Sequence, residues 1–189
     1  RARQTAFLVP GLTINCYDER GDEEVRESFR FDGGVVDFAN WLASDGPVTD
    51  TWHITGEGTY NETVQALDSK TGHLRATEVE RTCEVDIALR WGIGYDTAVQ
   101  SFVNIIATPK GGTHVSGFEQ AVLKTLRAAI DKNARKLKVS AKDGRPEKDD
   151  VQAGMTAVIT VRFPEPQFEG QTKETLGTPQ IRAVVNRVV

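Results

Sequence analysis

The sequence predicts a mixed α+β domain, with its strands mainly in one sheet and its helices packed on one face. Three observations carry this. Cys83, Val85, Ile87 and Leu89 alternate with Glu84, Asp86, Ala88 and Arg90, and Ala157, Ile159, Val161 and Phe163 repeat the pattern. That period of two marks a strand with one face toward a core. Phe118, Val122, Leu126, Ala129 and Ile130 recur at helical spacing, with Lys124, Arg127, Lys132 and Arg135 mostly off that stripe. That is an amphipathic helix. Glycine and proline clusters punctuate the runs. Strands that alternate need cover on one side only, so the helices are expected together there.

The elements follow in order. Leu12 to Asp18 reads as a strand, Asp22 to Glu27 as an acidic turn, and Ser28 to Phe31 as a second strand. Gly33-Gly34 opens a helix with Val35, Phe38, Ala39 and Leu42 on one face, and Ser44-Asp45-Gly46-Pro47 stops it. Thr51 to Leu67 is strand-like but broken at Gly56-Glu57-Gly58, and Asp68 to Gly72 reads as a loop. After the Cys83–Leu89 strand, Trp91-Gly92-Ile93-Gly94 turns the chain into a single strand from Val99 to Ala107. Gly111-Gly112 ends it. The long helix is expected from Ser116, which has capping-box spacing to Glu119. Lys142 to Asp150 reads as a charged loop. Pro164-Glu165-Pro166 ends the late strand, Gln167 to Gly177 is irregular, and Pro179 to Val189 begins a helix.

The 189 residues suffice for one self-supporting core. No apolar run approaches the roughly 20 residues of a membrane helix, and no signal-peptide core is present. The chain lacks an initiator methionine and reads as a piece of a longer protein. Cys16 and Cys83 have no CxxC spacing, and His53, His73 and His114 are scattered. No metal site is expected, each histidine is read as structural or superficial, and a reducing, cytoplasmic setting follows. The net charge of −4 hides an asymmetry. Asp18 to Asp50 holds ten acids against three arginines, whereas Pro109 to Lys148 holds ten basic residues against four acids. The basic stretch is either a solvated helix face or a surface that meets phosphate.

No Walker A, GxGxxG or Gly-x-Ser-x-Gly pattern occurs. Two segments remain. Gln167-Phe168-Glu169-Gly170-Gln171-Thr172-Lys173 leaves a strand after a proline break and presents an amide, a hydroxyl and a mobile ammonium. A phosphate oxygen suits Lys173, with Gln171 donating to a second; a solvated surface lysine is the plain alternative. Gly111-Gly112-Thr113-His114 precedes the basic helix, where backbone amides hold an anion or the glycines simply turn the chain.

These residues also carry a resemblance. Phe7-Leu8-Val9-Pro10-Gly11-Leu12-Thr13-Ile14 with Asp18-Glu19-Arg20 resembles the start of the second domain of bacterial type IIA topoisomerase B subunits. Ser101-Phe102-Val103-Asn104, Gly111-Gly112-Thr113-His114 and Gly117-Phe118 are similar to that family's central motif. Pro166-Gln167-Phe168-Glu169-Gly170-Gln171-Thr172-Lys173 with Leu176-Gly177 is similar to its most specific signature. The resemblance weakens from Asp45 to Arg81.

The resemblance implies a transducer domain over residues 1–189, with a ribosomal-protein-S5-like α+β fold. Residues 1–10 would be the tail of a linker from a GHKL-type ATPase domain, and 179–189 the start of a helix toward a TOPRIM region. It implies that Lys173 and Gln171 contact the γ-phosphate of ATP, with Mg2+ ligands lying elsewhere in the full-length protein. DNA, the topoisomerase A subunit and a second copy of the B subunit are the implied partners. Lys110, Lys124 and Arg127 would face DNA. Thr108-Pro109-Lys110 and the Gly46–Trp52 segment look more like the actinobacterial topoisomerase IV type. The chain departs from the family at Ile105, Lys110, Glu174 and Thr178. Two other readings stand beside this one: a transducer-like domain of a mismatch-repair or chaperone ATPase, and an S5-like nucleic-acid-binding module.

Overall fold

A computed structural model describes the chain except residues 22, 23, 68–71, 141 and 143. The expected loop at Asp68–Gly72 and the start of the acidic turn at Asp22 lie outside the described residues. The chain opens with α1 (Ala2–Leu8), where the sequence reading has a linker tail; its Ala6, Phe7 and Leu8 are buried. A two-stranded antiparallel sheet follows, β1 (Ile14–Asp18) with β2 (Val25–Phe29). Helix α2 (Val35–Leu42) starts after Gly34.

The main sheet then forms from β3 (Trp52–Leu67), β4 (Leu74–Trp91), β5 (Ala98–Val103), β6 (Ile106–Ala107) and, late in the chain, β7 (Met155–Arg162). Their spatial order is β3-β4-β7-β5-β6. All neighbours are antiparallel except β5 and β7. Between β6 and β7 run α3 (Thr113–Leu137) and the short α4 (Lys148–Gln152), and α5 (Gln180–Val188) closes the chain.

The mixed α+β class is as expected, but the helices are not all on one face. Phe118 and Val122 of α3 and Ile181, Val184 and Val185 of α5 pack on Val85, Ile87, Leu89, Ile159 and Val161. On the opposite face, Phe7 and Leu8 of α1 and Val35, Phe38 and Ala39 of α2 cover Ala88, Phe102 and Val158. The alternation at β7 conceals this second contact. Its intervening residues are Thr156, Val158 and Thr160, and all three are buried as well.

Other boundaries move for identifiable reasons. β3 runs unbroken through Gly56 and Gly58. These glycines admit α5: a Cβ on Gly56 would lie 2.8 Å from Val188 Cγ1, and one on Gly58 would lie 2.9 Å from Val184 Cγ1. The expected single strand Val99–Ala107 is a hairpin, because Asn104 and Ile105 both take positive φ, 47° and 66°. Helix α3 starts at Thr113, so Ser116 lies inside it and is not its cap. The capping box sits instead on α4, between Glu147 and Asp150, where the sequence reads as a loop. Glu119 pairs with Lys148 at 2.9 Å and ties α4 to α3. Ala129 is exposed, because the core covers only the first half of α3.

Candidate functional site

β7 delivers the chain to Phe163, which is buried, and the two prolines after it end the strand. Residues 167–177 then double back on themselves. Glu169 N–H donates to Thr175 O at 2.9 Å and Gly177 N–H to Gln167 O at 2.8 Å. The base of this loop is bonded to the turn before α3. Lys110 N–H donates to Glu174 O at 3.1 Å, Leu176 N–H to Gly111 O at 3.0 Å, and Thr113 N–H to Leu176 O at 3.0 Å. Thr113 Oγ1 donates to Thr178 O at 2.8 Å, and Gln167 N–H donates to Thr178 Oγ1 at 3.0 Å. Leu176 is fully buried beneath. Gly112, at φ 133°, is required here: a Cβ would sit 2.4 Å from Leu176 O. The fold therefore joins the two segments that stand out in the sequence, Gly111–His114 and Gln167–Lys173.

At the tip, Gln171, Thr172 and Lys173 are exposed. Lys173 has φ 56°, and its Nζ lies 5.8 Å from the Phe168 ring centroid, within cation–π reach. It makes no salt bridge among the described residues, whereas its neighbour Glu174 is heavily engaged. Lys110 Nζ lies 2.7 Å from Glu174 Oε2, and Thr172 Oγ1 donates to the same oxygen at 3.2 Å. The hydrogen bond from Lys110, then that from Thr172, holds the Glu174 carboxyl below its ordinary range. The tip thus offers one ammonium without a carboxylate, an amide beside it, and a braced backbone: a donor set suited to an anion.

Beneath the junction runs a buried polar chain. Ser101 Oγ donates to Thr108 O at 2.8 Å, Ser101 Oγ lies 2.8 Å from Thr108 Oγ1, and Thr108 Oγ1 lies 3.2 Å from His114 Nε2. His114 is fully buried and its Nδ1 has no hydrogen-bond partner among the described residues. Burial pushes the imidazole down to about 4, so it is neutral at pH 7. The amide of Thr113 is bonded to Leu176 O, so Gly111-Gly112 acts as a turn and backbone contact for the loop. The three residues read as facing DNA differ in state. Lys110 is paired with Glu174, Lys124 is exposed on α3, and Arg127 is half-buried with its Nε donating to Pro146 O at 2.8 Å. Sequence reasoning missed Glu174 and the Ser101–Thr108–His114 chain. Ser101 and His114 stood inside motifs, but nothing in their spacing showed that they meet. Among the described residues no cluster of His, Cys, Asp or Glu is arranged for a metal, and no helix is long and apolar enough to cross a membrane.

A family model described as DNA gyrase B matches residues 34–189. Over all of its length the chain is 35% identical to the DNA gyrase B protein of Streptomyces coelicolor and covers 27% of that protein. It is 35% identical to the DNA gyrase B protein of Mycoplasma genitalium, again covering 27%. The fold matches the crystal structure of the 43K ATPase domain of Thermus thermophilus gyrase B in complex with an aminocoumarin, with a TM-score of 0.69 and 28% identity. That match covers 100% of this chain and 44% of the other. The chain thus spans about a quarter of the length of these curated relatives.

Proposed function

The chain belongs to the DNA gyrase B family, and from that premise we propose that it is the transducer domain of an ATP-dependent type IIA topoisomerase. Its 167–177 loop presents Lys173 to the γ-phosphate of ATP held by a GHKL-type ATPase domain of the full-length protein. One observation supports this most: Lys173 is an exposed ammonium with no carboxylate partner among the described residues, on a loop bonded at its base to the start of α3. Little covalent chemistry falls to the protein in phosphoryl transfer, so positioning and charge stabilisation dominate. Lys173 opposes the charge that builds on the γ-phosphate oxygens, and Gln171 donates its amide N–H to the same group. The full-length protein would use Mg2+ to shield the phosphates, with its ligands in the ATPase domain.

These contacts exist only while the γ-phosphate is attached. ATP-bound and hydrolysed states therefore differ in the free energy holding the loop. The hydrogen bonds from Lys110, Leu176 and Thr113 carry a loop displacement to α3, and β7 carries it to the sheet. The reading has two copies of the full-length protein closing around DNA, the topoisomerase A subunit cleaving it, and the basic half of α3 with Lys124 facing phosphates without base contacts. Arg127, committed to Pro146, would serve mainly to hold the loop after α3. The setting is cytoplasmic. The topoisomerase IV reading of Thr108-Pro109-Lys110 and Gly46–Trp52 gains no support, since the relatives carry the gyrase name. Family membership likewise leaves nothing in favour of a mismatch-repair or chaperone ATPase.

The test is ATP turnover by the full-length protein with Lys173→Ala. Loss of one preorganised charge contact is expected to lower kcat by about 10²- to 10³-fold with nucleotide binding largely kept. Unchanged turnover would make Lys173 a surface lysine and remove the reading.

A further inference from the structure

We infer that Glu174 is a positioning residue for Lys173, acting through an ion-pair latch to Lys110. The inference rests on the γ-phosphate reading above. Three interactions converge on Glu174 from both sides of the lysine. Its carboxylate accepts from Lys110 Nζ at 2.7 Å and from Thr172 Oγ1 at 3.2 Å, while its carbonyl accepts the Lys110 N–H at 3.1 Å. Lys173 lies between the two latched residues with φ at 56°, a conformation unfavourable to a residue with a Cβ. A backbone in that state persists only when its neighbours over-determine it.

The latch also sorts the charges. Two ammonium groups, Lys110 and Lys173, belong to this junction. Glu174 neutralises Lys110, so among the described residues Lys173 is the ammonium left without a carboxylate at the tip. Exposed ion pairs add little to global stability, and Lys110 is 69% exposed. The function of this pair therefore lies in loop geometry. Lys110 and Glu174 are 64 positions apart in the chain, and the fold makes them partners through both a side-chain ion pair and a backbone hydrogen bond.

The experiment uses the full-length protein and compares Glu174→Gln, Lys110→Met, the double variant, the charge swap Lys110→Glu/Glu174→Lys, and Lys173→Ala. Misplacing a charged group by a fraction of an ångström is expected to lower kcat about tenfold. The KM for ATP and the thermal midpoint should not change. The double variant should be no worse than either single, and the swap should recover most of the turnover. Hydrogen exchange of the nucleotide-free protein gives a readout independent of turnover: the amides of Lys110 and of residues 172–174 should exchange faster in Glu174→Gln. Full activity of Glu174→Gln and Lys110→Met beside an inactive Lys173→Ala would overturn the latch and leave the phosphate reading standing. Loss accompanied by a matching fall in thermal midpoint, with no recovery in the swap, would also overturn it. A silent Lys173→Ala would remove both.

Discussion

His114 is an ionisable group shut inside the protein, with one ring nitrogen on Thr108 and the other without a hydrogen-bond partner among the described residues. Its folded-state value of about 4 lies below the ordinary 6.5. Between those values the unfolded chain binds the extra proton, so stability rises with pH across that window. The contribution is complete above pH 6.5 and is lost as pH falls toward 4. Its size is on the order of 3 kcal/mol. Urea unfolding at pH 7 and pH 5 should show a drop that His114→Asn largely abolishes, whatever the variant's stability at pH 7. An equal drop in the variant would assign the acid sensitivity to other groups. Cys83 is the contrasting case: burial pushes its thiol up to about 12, leaving it inert.

The β5–β6 hairpin shows how an element departs from its sequence pattern. Six of the nine residues from Val99 to Ala107 are apolar, yet the chain reverses at Asn104-Ile105. Asn104 suits this: its side chain donates to Phe163 O at 2.8 Å and accepts from Phe163 N–H at 3.0 Å, fixing the turn to the end of β7. Ile105 does not suit it, since a β-branched residue at φ 66° is strained and its side chain is about half exposed. Ile105→Asn should therefore stabilise the protein by about 1 kcal/mol, read as a higher urea midpoint with an unchanged slope. A lower midpoint would mean that the Ile105 side chain has a packing role that outweighs the strain.

At the scale of the whole molecule, the two faces of the sheet have separate tasks. One buries α1 and α2; the other buries α3 and α5, and the 167–177 loop is bonded to the start of α3. The chain carries the exposed tip of the proposed phosphate site, with Gln171, Thr172 and Lys173 open to solvent. A single exposed ammonium in water binds phosphate weakly, because solvent screens it. Calorimetric titration of the isolated chain with ATP should therefore show no measurable heat, and phosphate release should stay at background. Robust hydrolysis by this chain alone would defeat the domain assignment.

Local patterns were sufficient for part of this protein. The alternation of β4, the stripe of α2, the glycine before it and the helix after Pro179 all express short-range periodicity and turn chemistry. The Gln167–Lys173 segment was legible as a candidate because its donors stand in succession. Tertiary contacts decided the rest. Gly56 and Gly58 read as breaks in isolation, but they are positions where α5 approaches a continuous strand. Gly112 reads as a turn, but it is also where Leu176 presses against the backbone. Glu174 reads as one more surface acid until the fold brings Lys110 to it, and His114 as one more scattered histidine until Thr108 meets it. Periodicity reports which side of an element faces a core. Which element comes to cover it, and which distant side chain completes a charge, depends on packing between segments far apart in the chain.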